Sequence, residues 1–342
     1  MPGPLRVGVV GLGFGQAVHV PAFRSDPRSI VVGIAGSSRE RAKTVADRLQ
    51  IPKAFEGWRE MVADPEIEIL SVAVPPALQP AVVIAAARAG KHVFCEKPAG
   101  ADVEQVQEML AAVEKAGVVH AIDFLFPEIP AWRRANELLR EGRMGQPRQV
   151  ALTWRVLTAA YRENRDTWKR RVGEGGGTLG NFVSHSLYYL EWLLGPISAL
   201  NARLGPRETA DESRVDAWLE FKNGSSGTLS VAADAFLGSG HGIEIYGDQG
   251  TLVLENSSPD YARGFSLSMG TRETAQLAGV PVDDVAQEGD CRVAATACIV
   301  RRFLDAIEAG ASVTPSLHDG LRVQTLIDAM RRADALGIWQ SV

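Results

Sequence analysis

The feature that most constrains the fold is a glycine-rich stretch, residues 5–16, which reads LRVGVVGLGFGQ. Its first six residues form an apolar run typical of a strand, and a helix-like segment follows over residues 16–24. Gly11 allows a tight turn off the strand, and Gly13 has no side chain to keep a pyrophosphate away from the backbone. The N-terminus of the following helix favours an anion. The stretch therefore predicts a strand, a dinucleotide-binding loop and a helix.

The glycine pattern departs in one place from the usual spacing G-x-G-x-x-G. The third position is Gln16, and the glycine stands one residue earlier, at Gly15. An ordinary strand-to-helix turn of an α/β protein is the alternative interpretation. We assign the cofactor contacts of this loop to Gly11, Gly13, Phe14 and Gly15.

Two patterns of strands and helices divide the chain. From residue 5 to about 122, apolar strands alternate with helices, which predicts a parallel, doubly wound sheet of Rossmann type. After Asp123, successive strands joined by short turns predict a large open, mainly antiparallel sheet. We therefore predict an α/β protein with a nucleotide-binding domain over 1–122 and a second α/β domain over 123–315. The last helix, about 316–337, could return to pack on the first domain.

Composition and charge argue against several classes of protein. The 342 residues carry a formal net charge of -5, so we expect no broad nucleic-acid-binding surface. We expect no membrane span and no signal segment, because no apolar run is long enough and none precedes the first strand. Three cysteines without C-x-x-C spacing are typical of a reduced, cytoplasmic protein. The six histidines show no metal-binding spacing, so no metal site is predicted.

The end of the second strand bears on the choice between NADP and NAD. An NAD-binding domain places an acid there, about twenty residues past the glycines, to hold the ribose 2′-hydroxyl. This chain has Ser37, Ser38 and Arg39, with no acid before Glu40. Two hydroxyls and a guanidinium suit a 2′-phosphate, so we predict NADP as the preferred cofactor and NAD as the alternative. Ser37 could also cap the next helix, with Glu40 completing a capping box.

A second candidate stretch, Glu96-Lys97-Pro98, ends a predicted strand at the carboxyl edge of the sheet. A lysine at that edge can hydrogen-bond a substrate oxygen and stabilise a developing alkoxide. The alternative is a surface lysine at a strand end.

A third stretch runs from the glycines at 175–177 into an apolar helix. Asn181 and His185 lie four residues apart and so share a helix face. His185 can accept a proton as hydride leaves, because the unperturbed pKa of histidine lies near neutrality. A hydrogen-bonded core histidine is the alternative.

Taken together, these stretches resemble the Gfo/Idh/MocA oxidoreductases, the family of glucose–fructose oxidoreductase and inositol dehydrogenase. The motifs follow the family's order along nearly the whole chain. They are the glycine loop with His19 and Pro21, Val74-Pro75-Pro76, Gly90-Lys91-His92-Val93 with Glu96-Lys97-Pro98, the linker EGRMGQP at 141–147, and the glycines that lead to His185.

The resemblance implies hydride transfer between a nicotinamide and a sugar, a polyol or a related small hydroxy or carbonyl compound. It assigns catalysis to Lys97 and His185. It also implies a homodimer or homotetramer that assembles through the sheet of the second domain. We add Pro75, Glu96 and Lys97 itself to the cofactor-binding residues. Candidate substrate contacts are Asn181, Tyr188, Arg165, Trp168 and Lys169.

The chain departs from the family pattern at several candidate positions. Asn181 stands where the family has an aspartate, and Tyr188 where an acid is common. A histidine often found after the Pro-Pro turn is replaced near Gln79, and residues 123–127 lack a common arginine. A regulatory protein that binds nucleotide and ligand with little catalysis is therefore the alternative to an enzyme.

Overall fold

The structure, a computed structural model, describes residues 3–206, 212–282 and 289–342. The chain divides into two compact units. The first comprises Met1–Leu125 with Gln287–Gln324, and the second comprises Phe126–Ala286 with Thr325–Val342.

The strands and helices of the described residues, in chain order, have the following bounds. The strands are β1 Leu5–Val10, β2 Ser29–Gly36, β3 Lys53–Glu56, β4 Ile69–Val72, β5 His92–Cys95, β6 His120–Ile122, β7 Pro147–Arg155, β8 Ile197–Gly205, β9 Arg214–Phe221, β10 Ser226–Ala232, β11 Gly240–Gly247, β12 Gly250–Asn256, β13 Ser266–Thr271, β14 Ala278–Gly279 and β15 Gln340–Ser341. The helices are α1 Val20–Arg24, α2 Arg39–Leu49, α3 Trp58–Ala63, α4 Gln79–Arg88, α5 Val103–Ala116, α6 Pro130–Arg140, α7 Ala159–Arg162, α8 Ser184–Leu194, α9 Arg292–Ala309 and α10 Leu317–Leu336.

The sheet of the first unit is parallel, with the strand order β3-β2-β1-β4-β5-β6. This order confirms the predicted doubly wound fold. The central strands are buried apolar runs, as expected where helices cover both faces of a parallel sheet.

The register of this sheet aligns the ends of four strands. Val10 of β1 pairs with Val72 of β4, Val72 pairs with Cys95 of β5, and Cys95 pairs with Ile122 of β6. The loops that follow these strands therefore start side by side at the carboxyl edge of the sheet.

The later part of the chain adds α9 and the first turns of α10 to the first unit. Phe303 of α9 packs against Phe94 of β5, with ring centroids 5.7 Å apart. The backbone N–H of Leu317 donates to Nδ1 of His120 at 3.3 Å, and Nε2 of Gln324 donates to the Ala101 carbonyl at 2.9 Å. These contacts join α9 to β5, and α10 to the start of β6 and to the loop that precedes α5.

The sheet of the second unit has the order β14-β13-β12-β11-β7-β10-β9-β8-β15 in the described residues. Strands β7 and β10 are parallel, and the other neighbours are antiparallel, which confirms the predicted mainly antiparallel sheet. Along β9 exposed and buried residues alternate, so one face of this strand lies in the core. Buried aromatic side chains fill much of that core, namely Phe126, Trp132, Trp154, Tyr189, His241 and Phe265. No helix in the described part of the chain is long and apolar enough to cross a membrane.

Candidate functional site

The glycine loop follows β1 and has the features that a dinucleotide requires. Gly11 has φ +127°, and a Cβ there would lie 2.3 Å from the Ala73 carbonyl oxygen, so only glycine fits. A Cβ on Gly13 would meet no atom within 4 Å, which leaves open space beside the backbone. The space beside Gly13 is what the predicted approach of a pyrophosphate requires.

The helix after this loop begins with a π-helical turn, Gly15–His19, and continues as α1. A Cβ on Gly15 would lie 2.9 Å from Cγ1 of Val9, so this glycine permits the helix to pack against β1. The side chain of Gln16 instead donates to the Leu12 carbonyl and accepts from Arg48. Gly15 thus performs the packing role of the third glycine in the usual motif.

Phe14, another of the predicted loop contacts, lies between two side chains of the first unit. The guanidinium of Arg292 stacks over its ring at 4.9 Å, and its ring meets His19 edge-on at 5.3 Å. Arg292, at the start of α9, is a residue that no sequence pattern indicated.

The three residues predicted to bind a 2′-phosphate, which follow β2 directly, differ in their contacts. Ser38 is the N-cap of α2 and accepts from the Arg41 backbone N–H, so the cap is Ser38 and not Ser37. Arg39 donates to both carboxylate oxygens of Glu60, at 2.7 and 2.9 Å. Arg41 lies with Nη1 3.5 Å from Oγ of Ser37 and forms no ion pair within the described residues. Arg41, which the sequence did not single out, therefore places a guanidinium beside the Ser37 hydroxyl.

The loops after β4 and β5 are joined by one buried side chain, Gln79. Its Nε2 donates to the Glu96 carbonyl at 2.9 Å, and its Oε1 accepts from the Gly100 N–H at 3.0 Å. Pro75 lies four residues before Gln79, in the loop after β4, and Lys97 directly follows Glu96, half-buried. Gln79 thus contacts the backbone both before and after Lys97, at Glu96 and at Gly100.

The carboxyl of Glu96 is buried beside other ionisable groups. Burial raises its pKa to about 7, the positive charge of Lys97 opposes that rise, and Asp123 adds to it. Asp123, directly after β6, lies 3.4 Å from Nε2 of His19, and both side chains are fully buried. Ligand atoms of His19, Glu96 and Asp123 all lie within 4.8 Å of one another. Sequence patterns could not indicate this cluster, since its members follow three different elements.

In the second unit, the glycines at 175–177 allow backbone segments to approach closely. A Cβ on Gly176 would lie 2.1 Å from the Trp168 carbonyl oxygen, and one on Gly177, which has φ +74°, would lie 2.4 Å from Oε1 of Glu212. Glu212 is buried, and its carboxylate accepts from the Leu179 N–H at 3.1 Å. Burial raises the pKa of Glu212, and the nearby Arg331 opposes that shift. Glu212, which the sequence did not indicate, thus holds the backbone at Leu179.

Asn181 lies in a π-helical turn, Leu179–Val183, that precedes α8. Its Nδ2 donates to the carbonyls of Lys169 at 2.7 Å and Gly177 at 2.8 Å, so the two amide hydrogens hold the adjacent loop. His185, in the first turn of α8, is 4% exposed, and its ring meets that of Phe126 edge-on at 4.9 Å.

The remaining predicted substrate contacts differ in exposure. Tyr188 is half-buried on α8, and Trp168 is half-buried in a short 3-10 turn that also includes Lys169. The side chains of Lys169 and Arg165 are exposed, and Arg165 pairs with Glu163. The structure therefore brings Asn181 to the backbone of the loop that carries Trp168 and Lys169, and leaves Arg165 at the surface.

The first unit has the architecture of a nucleotide-binding Rossmann domain, and the second is an α/β domain with a large mixed sheet. The model of the oxidoreductase family with an NAD-binding Rossmann fold matches residues 5–124, and that of the GFO/IDH/MocA C-terminal domain matches residues 132–253. The chain belongs to the Gfo/Idh/MocA family of oxidoreductases.

Individual relatives match over the whole chain. An uncharacterised oxidoreductase of Synechocystis sp. is 31% identical, over 99% of this chain and 96% of its own length. Levoglucosan dehydrogenase of Pseudarthrobacter phenanthrenivorans is 27% identical, over 99% of this chain and 98% of its own. A solved structure of levoglucosan dehydrogenase in complex with NADH and levoglucosan is 25% identical, with a TM-score of 0.88 over 99% of each chain.

Proposed function

We propose that this protein transfers hydride between a nicotinamide dinucleotide and a CH–OH group of a sugar, a polyol or a related small hydroxy compound. The observation that carries the proposal is the aligned edge of the parallel sheet. The glycine loop follows β1, and Lys97 follows β5, whose last residue is in register with the last residues of β4 and β1. Family membership and the relatives named for sugar oxidation support the substrate class.

The cofactor contacts in this proposal come from one unit. Gly11, Gly13 and Gly15 shape the loop for the pyrophosphate, with Phe14 beside it, and Pro75 and Glu96 lie at the neighbouring strand ends. A bound nicotinamide accepts or supplies the hydride.

Lys97 hydrogen-bonds the reacting oxygen in this proposal. Its charge stabilises the alkoxide that develops as the C–H bond breaks. His185 takes the proton that the hydroxyl loses, and Tyr188 and Asn181 help to orient the substrate, with Trp168, Lys169 and Arg165 as further contacts. Because the amide hydrogens of Asn181 hold the loop at 169–177, its contribution to orientation acts mainly through that loop.

We further propose NADP as the preferred cofactor, with Ser37 and Arg41 as the groups that bind the 2′-phosphate. No carboxylate follows β2 before Glu40, and the Arg41 guanidinium lies beside the Ser37 hydroxyl. Arg39, which the sequence favoured, is held by Glu60 and acts in this scheme as a neighbouring positive charge.

The quaternary structure proposed here is a homodimer or homotetramer that forms through the sheet of the second unit. The outer face of β9 supports this, because it carries Trp218 with 51% of its surface exposed among the polar residues Asp216 and Glu220.

The experiment that tests the proposed reaction is a turnover screen with levoglucosan, inositols, aldoses and linear polyols, with NADP and with NAD. On a substrate that the screen identifies, Lys97→Ala is expected to lower kcat about 10²–10⁴-fold, the usual contribution of a positioned acid or base. Lys115→Ala, which removes an exposed lysine of α5, is the matched control and should leave kcat unchanged. Full activity of Lys97→Ala would show that Lys97 has no part in the chemistry.

A regulatory nucleotide-binding protein is the second candidate function, and the loop-holding hydrogen bonds of Asn181 favour it. An amide cannot stabilise a positively charged His185 as the family's aspartate would. Binding of nicotinamide cofactors without turnover of any screened compound, together with measurable turnover by Asn181→Asp, would support this second function over the first.

A further inference from the structure

We propose that His19, Glu96 and Asp123 form a binding site for one divalent transition-metal ion such as Zn²⁺ or Mn²⁺. The three ligand atoms, an imidazole nitrogen and one oxygen from each carboxylate, lie within 4.8 Å of one another. One nitrogen and two oxygens suit either ion, and three protein ligands leave at least one coordination position open.

The geometry around His19 leaves one ring nitrogen directed at the two acids. Nδ1 lies 2.7 Å from Oγ of Ser71, so a proton on Nδ1 is held by that hydroxyl. Nε2 is buried and has no hydrogen-bond partner among the described residues. A histidine that ligates a metal through one nitrogen characteristically donates from the other in this way.

Asp123 shows the same division of roles between its two oxygens. Oδ2 accepts a hydrogen bond from Oγ1 of Thr296 at 2.9 Å, and Oδ1 is buried with no hydrogen-bond partner in the described part of the chain. An unpaired oxygen on a fully buried carboxylate is costly, and a bound cation removes that cost.

A proton on Nε2 of His19 would satisfy these atoms less well than a metal ion. The separation of 3.4 Å between Nε2 and Oδ2 of Asp123 exceeds the ~2.7–2.9 Å of a charge-assisted hydrogen bond. Three atoms that bind one ion at ~2.0–2.2 Å lie roughly 3.3–3.8 Å from one another, so a separation at the 4.8 Å limit of this cluster must shorten by about 1 Å, which rotations of the carboxylate side chains supply. When both are ionised, the two carboxylates carry two negative charges, which a divalent cation balances.

The ion would join three parts of the first unit. His19 ends the π-helical turn after the glycine loop, Glu96 follows β5, and Asp123 follows β6. Each carboxylate offers one oxygen to the ion, so the second oxygen of Glu96 stays available to the cofactor. The inference is independent of the proposed substrate, since it concerns the free protein.

The test is metal binding by the full-length protein after treatment with a chelator and removal of that chelator. Titration calorimetry with ZnCl₂ and with MnCl₂, together with elemental analysis, should give one ion per chain and a rise in the thermal midpoint. His19→Gln and Asp123→Asn should weaken binding at least about tenfold, and Ser71→Ala about 10–100-fold, the typical cost of losing a partner that orients a ligand. Glu60→Gln removes an exposed carboxylate of α3 and should bind as the wild type does.

The absorption spectrum of the Co²⁺-loaded wild type gives a second readout, and the Ser71→Ala variant keeps the test valid if a ligand variant does not fold. A wild type that takes up no ion would overturn the proposal. So would His19→Gln, Asp123→Asn and Ser71→Ala variants that bind the ion as tightly as the wild type, because the ion would then lie elsewhere.

Discussion

At the scale of single residues, the glycine loop shows how a variant spacing still gives the local geometry of the usual glycine motif. The tasks of the three glycines fall on Gly11, Gly13 and Gly15, and Gln16 is free to bond Leu12 and Arg48. The helix begins with a π-helical turn, which changes the angular position of each residue relative to an α-helix. A regular spacing rule cannot anticipate that shift, although it identified the loop.

The open space at Gly13 makes a sharp prediction about binding without a change in folding. Gly13→Val places a side chain where no atom of the protein lies within 4 Å of the Cβ position, so the thermal midpoint should stay near that of the wild type. Binding of NADPH and NADH should weaken at least tenfold, because the side chain occupies the approach of the pyrophosphate. Fluorescence titration and a thermal melt on the same sample measure both quantities.

Gly15→Val is the contrasting variant, because a Cβ at that position lies 2.9 Å from Cγ1 of Val9. It should lose stability by roughly 1–3 kcal/mol, the usual cost of overpacking a core. A Gly13→Val protein that melts far below the wild type would mean that Gly13 serves packing and not ligand approach.

At the scale of elements, the ends of four parallel strands explain why distant residues share one region. The sequence predicted most strands of the first unit, since each is a buried apolar run bounded by turn residues. It did not indicate β3 or α3, because β3 is four residues long and only half-buried. Nor could it show that His19 and Asp123 meet, since contacts between separate elements depend on the register of the whole sheet.

The hydrogen bonds of Gln79 stabilise the fold and also hold the segment that carries Lys97. Gln79→Met keeps the volume and removes the hydrogen bonds of the amide, which leaves the Glu96 carbonyl and the Gly100 N–H without this partner. Each buried unpaired group costs roughly 1–3 kcal/mol, so the free energy of unfolding in urea should fall by a few kcal/mol. On an identified substrate, kcat should fall as well, because Lys97 is no longer held.

Gln107→Met on the exposed face of α5 is the control for this substitution and should change neither quantity. An unchanged kcat in a Gln79→Met protein that has lost stability would show that the hydrogen bonds of Gln79 support the fold alone.

At the scale of the whole molecule, the two units differ in the burial pattern of their strands, and both patterns are visible in the sequence. The parallel sheet needs apolar strands with helices between them, whereas β9 alternates exposed and buried residues. Successive strands joined by short turns predicted the mainly antiparallel sheet of the second unit, although not the parallel pairing of β7 with β10. They could not predict Glu212 beneath the glycines at 175–177, because a buried acid in a glycine-rich turn has no periodic signal.

The exposed indole of Trp218 allows a test of assembly. In a symmetric dimer a residue near the two-fold axis faces its own copy, so Trp218→Glu would place two negative charges together and remove apolar area. Sedimentation velocity should show the wild type as a dimer or tetramer and Trp218→Glu as a smaller species. Ile30→Glu changes an exposed apolar residue of the first unit and should leave assembly unchanged. A monomeric wild type would exclude assembly through this face.

The most direct test of the account is a fluorescence titration of the purified protein with NADPH and with NADH. We expect both to bind and NADPH to bind more tightly, with Arg41→Ala abolishing the difference and Arg39→Ala reducing it much less. Tighter binding of NADH would contradict the assignment of Ser37 and Arg41 to a 2′-phosphate and leave the oxidoreductase proposal intact. Binding of neither nucleotide would contradict the central claim that the loop from Gly11 to Gly15 holds a nicotinamide cofactor.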